Sequence, residues 1–184
     1  MRFVGTGLQG AWIIETESHE DTRGSFARTF CAREFRERRL ESRMVQSSIS
    51  RNQLRHTLRG LHWQAGAAGE AKLIHCVRGE ILDVLVDLRR GSPTFGRHEK
   101  VVLSEDNQRM VYVPRGFAHG FLTLRDDTWV SYQMTNHYAP QSARGLKWND
   151  PHLIIAWPVD QPRVSDQDAN WPDFEPAAIT AEMP

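Results

Sequence analysis

Cysteine is almost missing from this chain. Cys31 and Cys76 are the only two in 184 residues, too few and too irregular for a disulfide framework or a zinc knuckle, so a reducing compartment is the default. An excess of charge is missing too. The 23 lysines and arginines balance 23 aspartates and glutamates, leaving no global field for nucleic acid or an anionic lipid surface; any anion has to be met by a local site. No apolar run approaches the ~18 residues needed to cross a bilayer, and the opening residues lack the apolar stretch of a signal peptide. These absences predict a soluble, cytoplasmic protein. No GxxxxGK[ST] occurs, no GxGxxG opens a helix and there is no GxSxG. P-loop hydrolysis, a Rossmann cofactor and the serine-hydrolase elbow are therefore unsupported.

What remains is a chain long enough for one domain, 1–184, with a core from about residue 3 to residue 160 and a C-terminal segment, 161–184, that wraps the surface and is loose at its far end. Trp12-Ile13-Ile14 suggests a strand entering the core, Asp21 to Gly24 a turn, and Ser25 to Phe30 a strand with Phe26 and Phe30 on one face. Ala32 to about Arg43 reads as one short, exposed helix. Beyond it come serial strands. Leu82, Val84, Val86 and Leu88 alternate with Ile81, Asp83, Leu85 and Asp87, a period of two with one wet side. Similar runs at His98–Leu103, Arg109–Val113, Gly120–Leu124 and Thr128–Thr135, broken by Gly, Pro, Asn and Asp, predict an all-β jelly-roll of two antiparallel sheets. A pocket between such sheets suits a small ligand.

Three segments offer chemistry to that pocket. Thr57 to Lys72 sets His62 between the fixed cations Arg59 and Lys72, an arrangement for an anionic substrate. Pro114 to Gly120 is a tight turn delivering His119 to the start of a strand, and Tyr132 shares a face with Val130 and Met134. The pair of histidine segments resembles the two motifs of cupins. A metal cupin supplies HxH and a glutamate in the first; here the stretch is His62-Trp63-Gln64, so the second imidazole is absent and no metal is expected.

Longer motifs stand in order along the chain: Arg23-Gly24-Ser25-Phe26, Thr57 to Gln64, Lys72-Leu73, Gly91 to Gly96, Pro114 to Phe121, Tyr138-Ala139-Pro140 and Trp148-Asn149-Asp150-Pro151. On these the chain resembles the dTDP-4-dehydrorhamnose 3,5-epimerase family, from about residue 3 to residue 172. The resemblance implies a cupin-like jelly-roll without metal or cofactor, a homodimer, that inverts C3 and C5 of a nucleotide-linked 4-keto-6-deoxyhexose. It places His62 as base, Tyr132 as the acid on the opposite face and Asp168 as the carboxylate pairing with the histidine. Arg23, Phe26, Arg28, Gln46, Ser48, Arg59, Lys72, His119 and Tyr138 fall at its substrate-binding positions.

A C4 ketone acidifies the hydrogens on C3 and C5, so a base on one side and a proton donor on the other are what the reaction needs. Arg28, Ser48, Ala143 and Gln167 replace the glutamate, asparagine, glutamate and lysine usual in the family. Because arginine cannot accept a hydrogen bond from thymine N3–H, Arg28 predicts weaker thymidine selectivity. A C3-only or C5-only epimerase and a non-catalytic sugar-nucleotide-binding protein are the alternatives; the presence of both His62 and Tyr132 speaks against the second.

Overall fold

The computed structural model describes residues 1–179. The elements run β1 (Arg2–Gly5), β2 (Trp12–Glu15), β3 (Ser18–Asp21), β4 (Gly24–Ala27), α1 (Ala32–Glu37), β5 (Gln46–Asn52), β6 (Leu58–Gln64), β7 (Lys72–Arg78), β8 (Glu80–Asp87), β9 (His98–Ser104), β10 (Met110–Val113), β11 (Phe117–Thr123), β12 (Thr128–Met134), β13 (Ala143–Gly145), α2 (Asp166–Ala169) and α3 (Pro176–Ile179). Two antiparallel sheets form, one in the order β1-β2-β10-β7-β12-β5 and the other β13-β6-β11-β8-β9; β3 and β4 pair only with each other. This is the jelly-roll sandwich anticipated from the strand spacing. Ile74, Val111 and Val130 of the first sheet meet Ile81, Leu85, Phe117 and Phe121 of the second in one core. Each such side chain, once buried, contributes about 1.5–3 kcal/mol, so the seam between the sheets dominates stability.

The wet side predicted for β8 does not exist. Asp83 and Asp87 are fully buried, because β8 lies inside its sheet, between β11 and β9, and both of its faces are covered. Ile81, Leu85 and therefore Asp83 look toward the opposite sheet. Val84, Val86 and Leu88 look outward and are covered by Leu146, Leu153 and Ile155 and, from the C-terminal segment, by Phe174 and Ile179. Buried Asp150 ties the C-terminal segment to the chain before it. Its carboxylate accepts the backbone N–H groups of His152 and Leu153, both at 2.8 Å, and of Phe174 at 2.5 Å. The far end anticipated to be loose, residues 180–184, lies outside the described residues.

Near the N-terminus the helix is shorter and less exposed than predicted. It ends at Glu37 because Arg39 turns into the left-handed region at φ 59°, where the N–H of Leu40 bonds back to the Phe35 carbonyl at 3.0 Å. Phe35 is fully buried, edge-on to Phe3, Phe30 and Tyr112. The strand expected to reach Phe30 stops at Ala27, leaving Phe26 76% exposed while Phe30 turns in against Phe35. No helix among the described residues is long and apolar enough to cross a membrane.

Candidate active site

Glycine brings the two histidines together. β6 and β11 approach so closely that a Cβ on Gly60 would stand 2.5 Å from the Cα of Gly120, and Gly60 adopts φ +139°. The β6–β11 register is irregular just there, between His119 and Phe121, and it leaves His119 directly opposite His62. β11 begins at Phe117, so His119 sits within the strand rather than at its start. Each imidazole is backed by its own carboxylate: His62 Nε2 lies 2.6 Å from Asp168, and His119 Nε2 lies 2.7 Å from Asp83.

Asp168 arrives from the far end of the chain. Ser165 caps α2 by accepting the Asp168 N–H at 3.1 Å, which fixes the first turn and aims the carboxylate inward. There it also accepts the Gly60 N–H at 3.2 Å and the Trp171 indole N–H at 3.2 Å. Burial by itself would push this carboxyl up. The hydrogen bond and charge of His62, with the Gly60 and Trp171 donors, outweigh burial and hold it below the usual carboxylate range. Trp171 stands edge-on to His62, ring centres 6.3 Å apart. It can do so because Gly145, the register partner of His62 on β13, has no side chain to block the indole.

The opposite sheet supplies Tyr132, half-buried, with its ring 6.0 Å from His119 and edge-on to it. Burial, then the charge of Asp83, push the phenol well above its ordinary range, against a smaller opposing effect of Arg59. Lys72, also from this sheet, donates to the His62 carbonyl at 3.2 Å and pairs with Glu70 at 3.4 Å. Gln64 stands where a metal cupin has its second imidazole. It is fully occupied, donating to the Ala68 and His137 carbonyls and to Glu70 while accepting the Ala139 N–H at 2.6 Å. With Gln46, which accepts the Tyr138 N–H at 3.0 Å, it clamps the loop that holds Tyr138 at the rim.

These groups line two adjoining hollows of about 370 Å³ each, sharing Ser48, His62, Lys72, Tyr132 and Gln167. The volume suits a small organic ligand. Gln46 and Tyr138 line the first; Arg59, His119 and Asp168 line the second. Nine of the twelve residues singled out from sequence thus meet in one cleft. Arg23, Phe26 and Arg28 do not. They stand on or just beside the β3–β4 ribbon, which pairs with no other strand among the described residues: Arg23 is bound to Asp21, Arg28 to Glu34 at 3.3 Å, and Phe26 lines a separate small hollow with Met1, Glu17 and His19. Among the described residues, Arg28 therefore makes no contact with the cleft.

Sequence reasoning assigned no part in this region to Trp171 or Asp83; Gln64 was noted only for the missing imidazole and Gln167 only as a departure. Trp171 had a readable signal, its three-residue spacing from Asp168, which puts both on one side of a helical turn. Asp83 had none, since an aspartate in an alternating strand reads as the solvent face.

A half-buried histidine backed by a buried aspartate and facing a half-buried tyrosine, between the sheets of a cupin-like jelly-roll, defines a proton-transfer site of the sugar-epimerase class. The sequence profile of the dTDP-4-dehydrorhamnose 3,5-epimerase family matches residues 5–176. The dTDP-4-dehydrorhamnose 3,5-epimerase of Methanothermobacter thermautotrophicus is 46% identical over 173 residues, covering 92% of each chain. Among solved structures, the rmlC epimerase of Mycobacterium tuberculosis is 37% identical with a TM-score of 0.94, over 100% of this chain and 94% of its own. ChmJ, a 3′-monoepimerase from Streptomyces bikiniensis in complex with dTDP-quinovose, is 38% identical with a TM-score of 0.85, over 91% and 85%. The chain belongs to the dTDP-4-dehydrorhamnose 3,5-epimerase family.

Proposed function

We propose that this protein is a cofactor-independent isomerase that inverts C3 and C5 of a dTDP-linked 4-keto-6-deoxyhexose, as in the conversion of dTDP-4-dehydro-6-deoxyglucose to dTDP-4-dehydrorhamnose. The opposition of the His62–Asp168 pair on one sheet and Tyr132 on the other carries this conclusion. His62 takes the proton from the carbon next to the ketone, and the electron pair left behind moves to the C4 oxygen. Lys72 and His119 stand beside it to stabilise that oxyanion. Tyr132, kept protonated by burial, returns a proton from the other face, and exchange with solvent resets both groups. Arg59, oriented by Asn52 at 2.8 Å, sits at the rim where a diphosphate would lie.

A C3-only reaction is the second possibility, because a 3′-monoepimerase is as similar in sequence as the 3,5-epimerases of known structure. Turnover of the keto sugar in deuterated water separates them: label at C3 and C5 in the inverted product is expected, and label at C3 alone would replace the first proposal by the second. His62→Asn should lose exchange at both carbons by on the order of 10²–10⁴-fold. Tyr132→Phe should permit exchange while failing to invert. Near-normal turnover in both variants would remove the mechanism.

A homodimer belongs to the same proposal. The β3–β4 ribbon with its exposed Phe26, and the open edge of β5 carrying exposed Ile49, are surfaces a second copy can cover. Sedimentation of a monomer at micromolar concentration would argue against it. A cytoplasmic location fits the two free thiols, Cys31 and Cys76.

A further inference from the structure

Asp83 is a carboxylate where a sandwich core should have none. It is fully buried on β8, one oxygen lies 2.7 Å from His119 Nε2, and the other has no hydrogen-bond partner among the described residues. A neutral acceptor would orient a structural histidine at smaller desolvation cost, so the charge calls for a reason. Its surroundings supply one. His119 on β11 and Tyr132 on β12 stand beside it, and they share their hollow with Arg59 and His62 of β6 and Lys72 of β7. Cys76 of β7 also feels its charge.

We infer that Asp83 is a positioning residue of the epimerisation site, acting through His119 on one side and on Tyr132 on the other. The inference rests on the acid and base roles proposed above for Tyr132 and His62. By engaging Nε2, Asp83 fixes the His119 ring and leaves Nδ1 as the one ring nitrogen able to meet the substrate oxygen. Its negative charge adds to burial, the larger cause, in pushing the neighbouring Tyr132 phenol well above its ordinary range. Tyr132 thus stays a donor until the moment of transfer. One buried charge serves both groups on the acid side, while Asp168 serves the base.

Asp83→Asn keeps the shape and removes the charge. With folding verified by circular dichroism, solvent exchange catalysed by His62 should fall less than product formation does, since Lys72 still faces the oxyanion, and KM should stay within about threefold of normal. The rate of inverted-product formation should fall on the order of 10- to 100-fold. The alkaline limb of the kcat profile should move down by about one pH unit or more. An unchanged rate and alkaline limb would overturn the inference, as would a loss confined to KM or a loss of exchange as large as the loss of product. Failure of the underlying mechanism shows separately, as full exchange retained by His62→Asn with Asp83 intact. Should Asp83→Asn not fold, the unsubstituted protein still decides. Alkaline titration of its tyrosinate absorption, differenced against Tyr132→Phe, should show the Tyr132 phenol un-ionised at pH ~10, where an ordinary tyrosine is half ionised. Ionisation at or below that pH would overturn the inference.

Discussion

Gly145→Ala adds one methyl group at a position that touches no substrate. A Cβ there would fall inside the van der Waals envelope of the Trp171 indole, against three of its ring atoms. The backbone cannot yield, because Gly145 is paired to His62 and the N–H and carbonyl of the next residue, Leu146, are both bonded to Leu61. Trp171 must therefore retreat, by roughly the ångström whose misplacement costs on the order of 10²-fold in rate. Its indole N–H then leaves Asp168, a hydrogen bond to a charged group worth about 1.5–3 kcal/mol, and the edge contact with His62 opens. Overpacking alone costs about 1–3 kcal/mol, so a total destabilisation of about 3 kcal/mol is expected. Urea unfolding measures the stability, and deuterium exchange at C3 and C5 measures the base. Adding Trp171→Leu, which makes room for the methyl, should leave the double variant less destabilised than the sum of the two single changes. Stability within about 0.5 kcal/mol of the parent with exchange within twofold would refute the steric reasoning.

Asp150→Ala removes the acceptor of three backbone N–H groups, two of them on the buried residues Leu153 and Phe174. It should cost about 3 kcal/mol in urea unfolding and loosen residues 150–174 to hydrogen exchange; an effect below about 1 kcal/mol would show that water replaces the carboxylate. Stability should also fall in acid. Burial tends to raise the Asp87 carboxyl, but bonds from Arg89, Ser92 and Thr94 overcome it and hold it below the usual range, as His62 and its neighbours do for Asp168. A carboxyl depressed on folding contributes stability that is complete above its unfolded pKa near ~3.9 and is lost as pH falls through the lower folded value. Urea midpoints should thus begin to drop below pH ~4, with a shallower drop in Asp87→Asn; equal slopes in the two proteins would assign the acid sensitivity elsewhere.

The sandwich was legible because its strands alternate and its turns carry Gly, Pro, Asn and Asp at short intervals. What misled was the assumption that alternation means one wet face. For β8 the polar positions, Asp83 and Asp87, lie on the face turned to the opposite sheet, while a distant downstream segment covers the other face, and local periodicity can register neither. The helix at Ala32 was legible from its apolar spacing, but its stop at Arg39 was not, since nothing in an arginine announces a left-handed residue. At the site, His62, Lys72 and His119 could be found from short motifs. Asp168 could be placed only by resemblance, because its contact with His62 spans 106 residues and leaves no local pattern. Arg23, Phe26 and Arg28 were grouped with the cleft by the same resemblance, and in the chain they stand on or just beside a ribbon that pairs with no other strand among the described residues.

That span of 106 residues also sets an order in time. During synthesis the strands of both sheets leave the ribosome before α2, so the two sheets can close while His62 still lacks its carboxylate. At ~5–20 residues per second the wait from His62 to Asp168 lasts roughly 5–20 s. Only when Ser165 has capped the short helix and Trp171 has settled over Gly145 does the base acquire its partner. A sandwich made only as far as its strands therefore holds a base without its partner, and the stretch that carries α2 completes it.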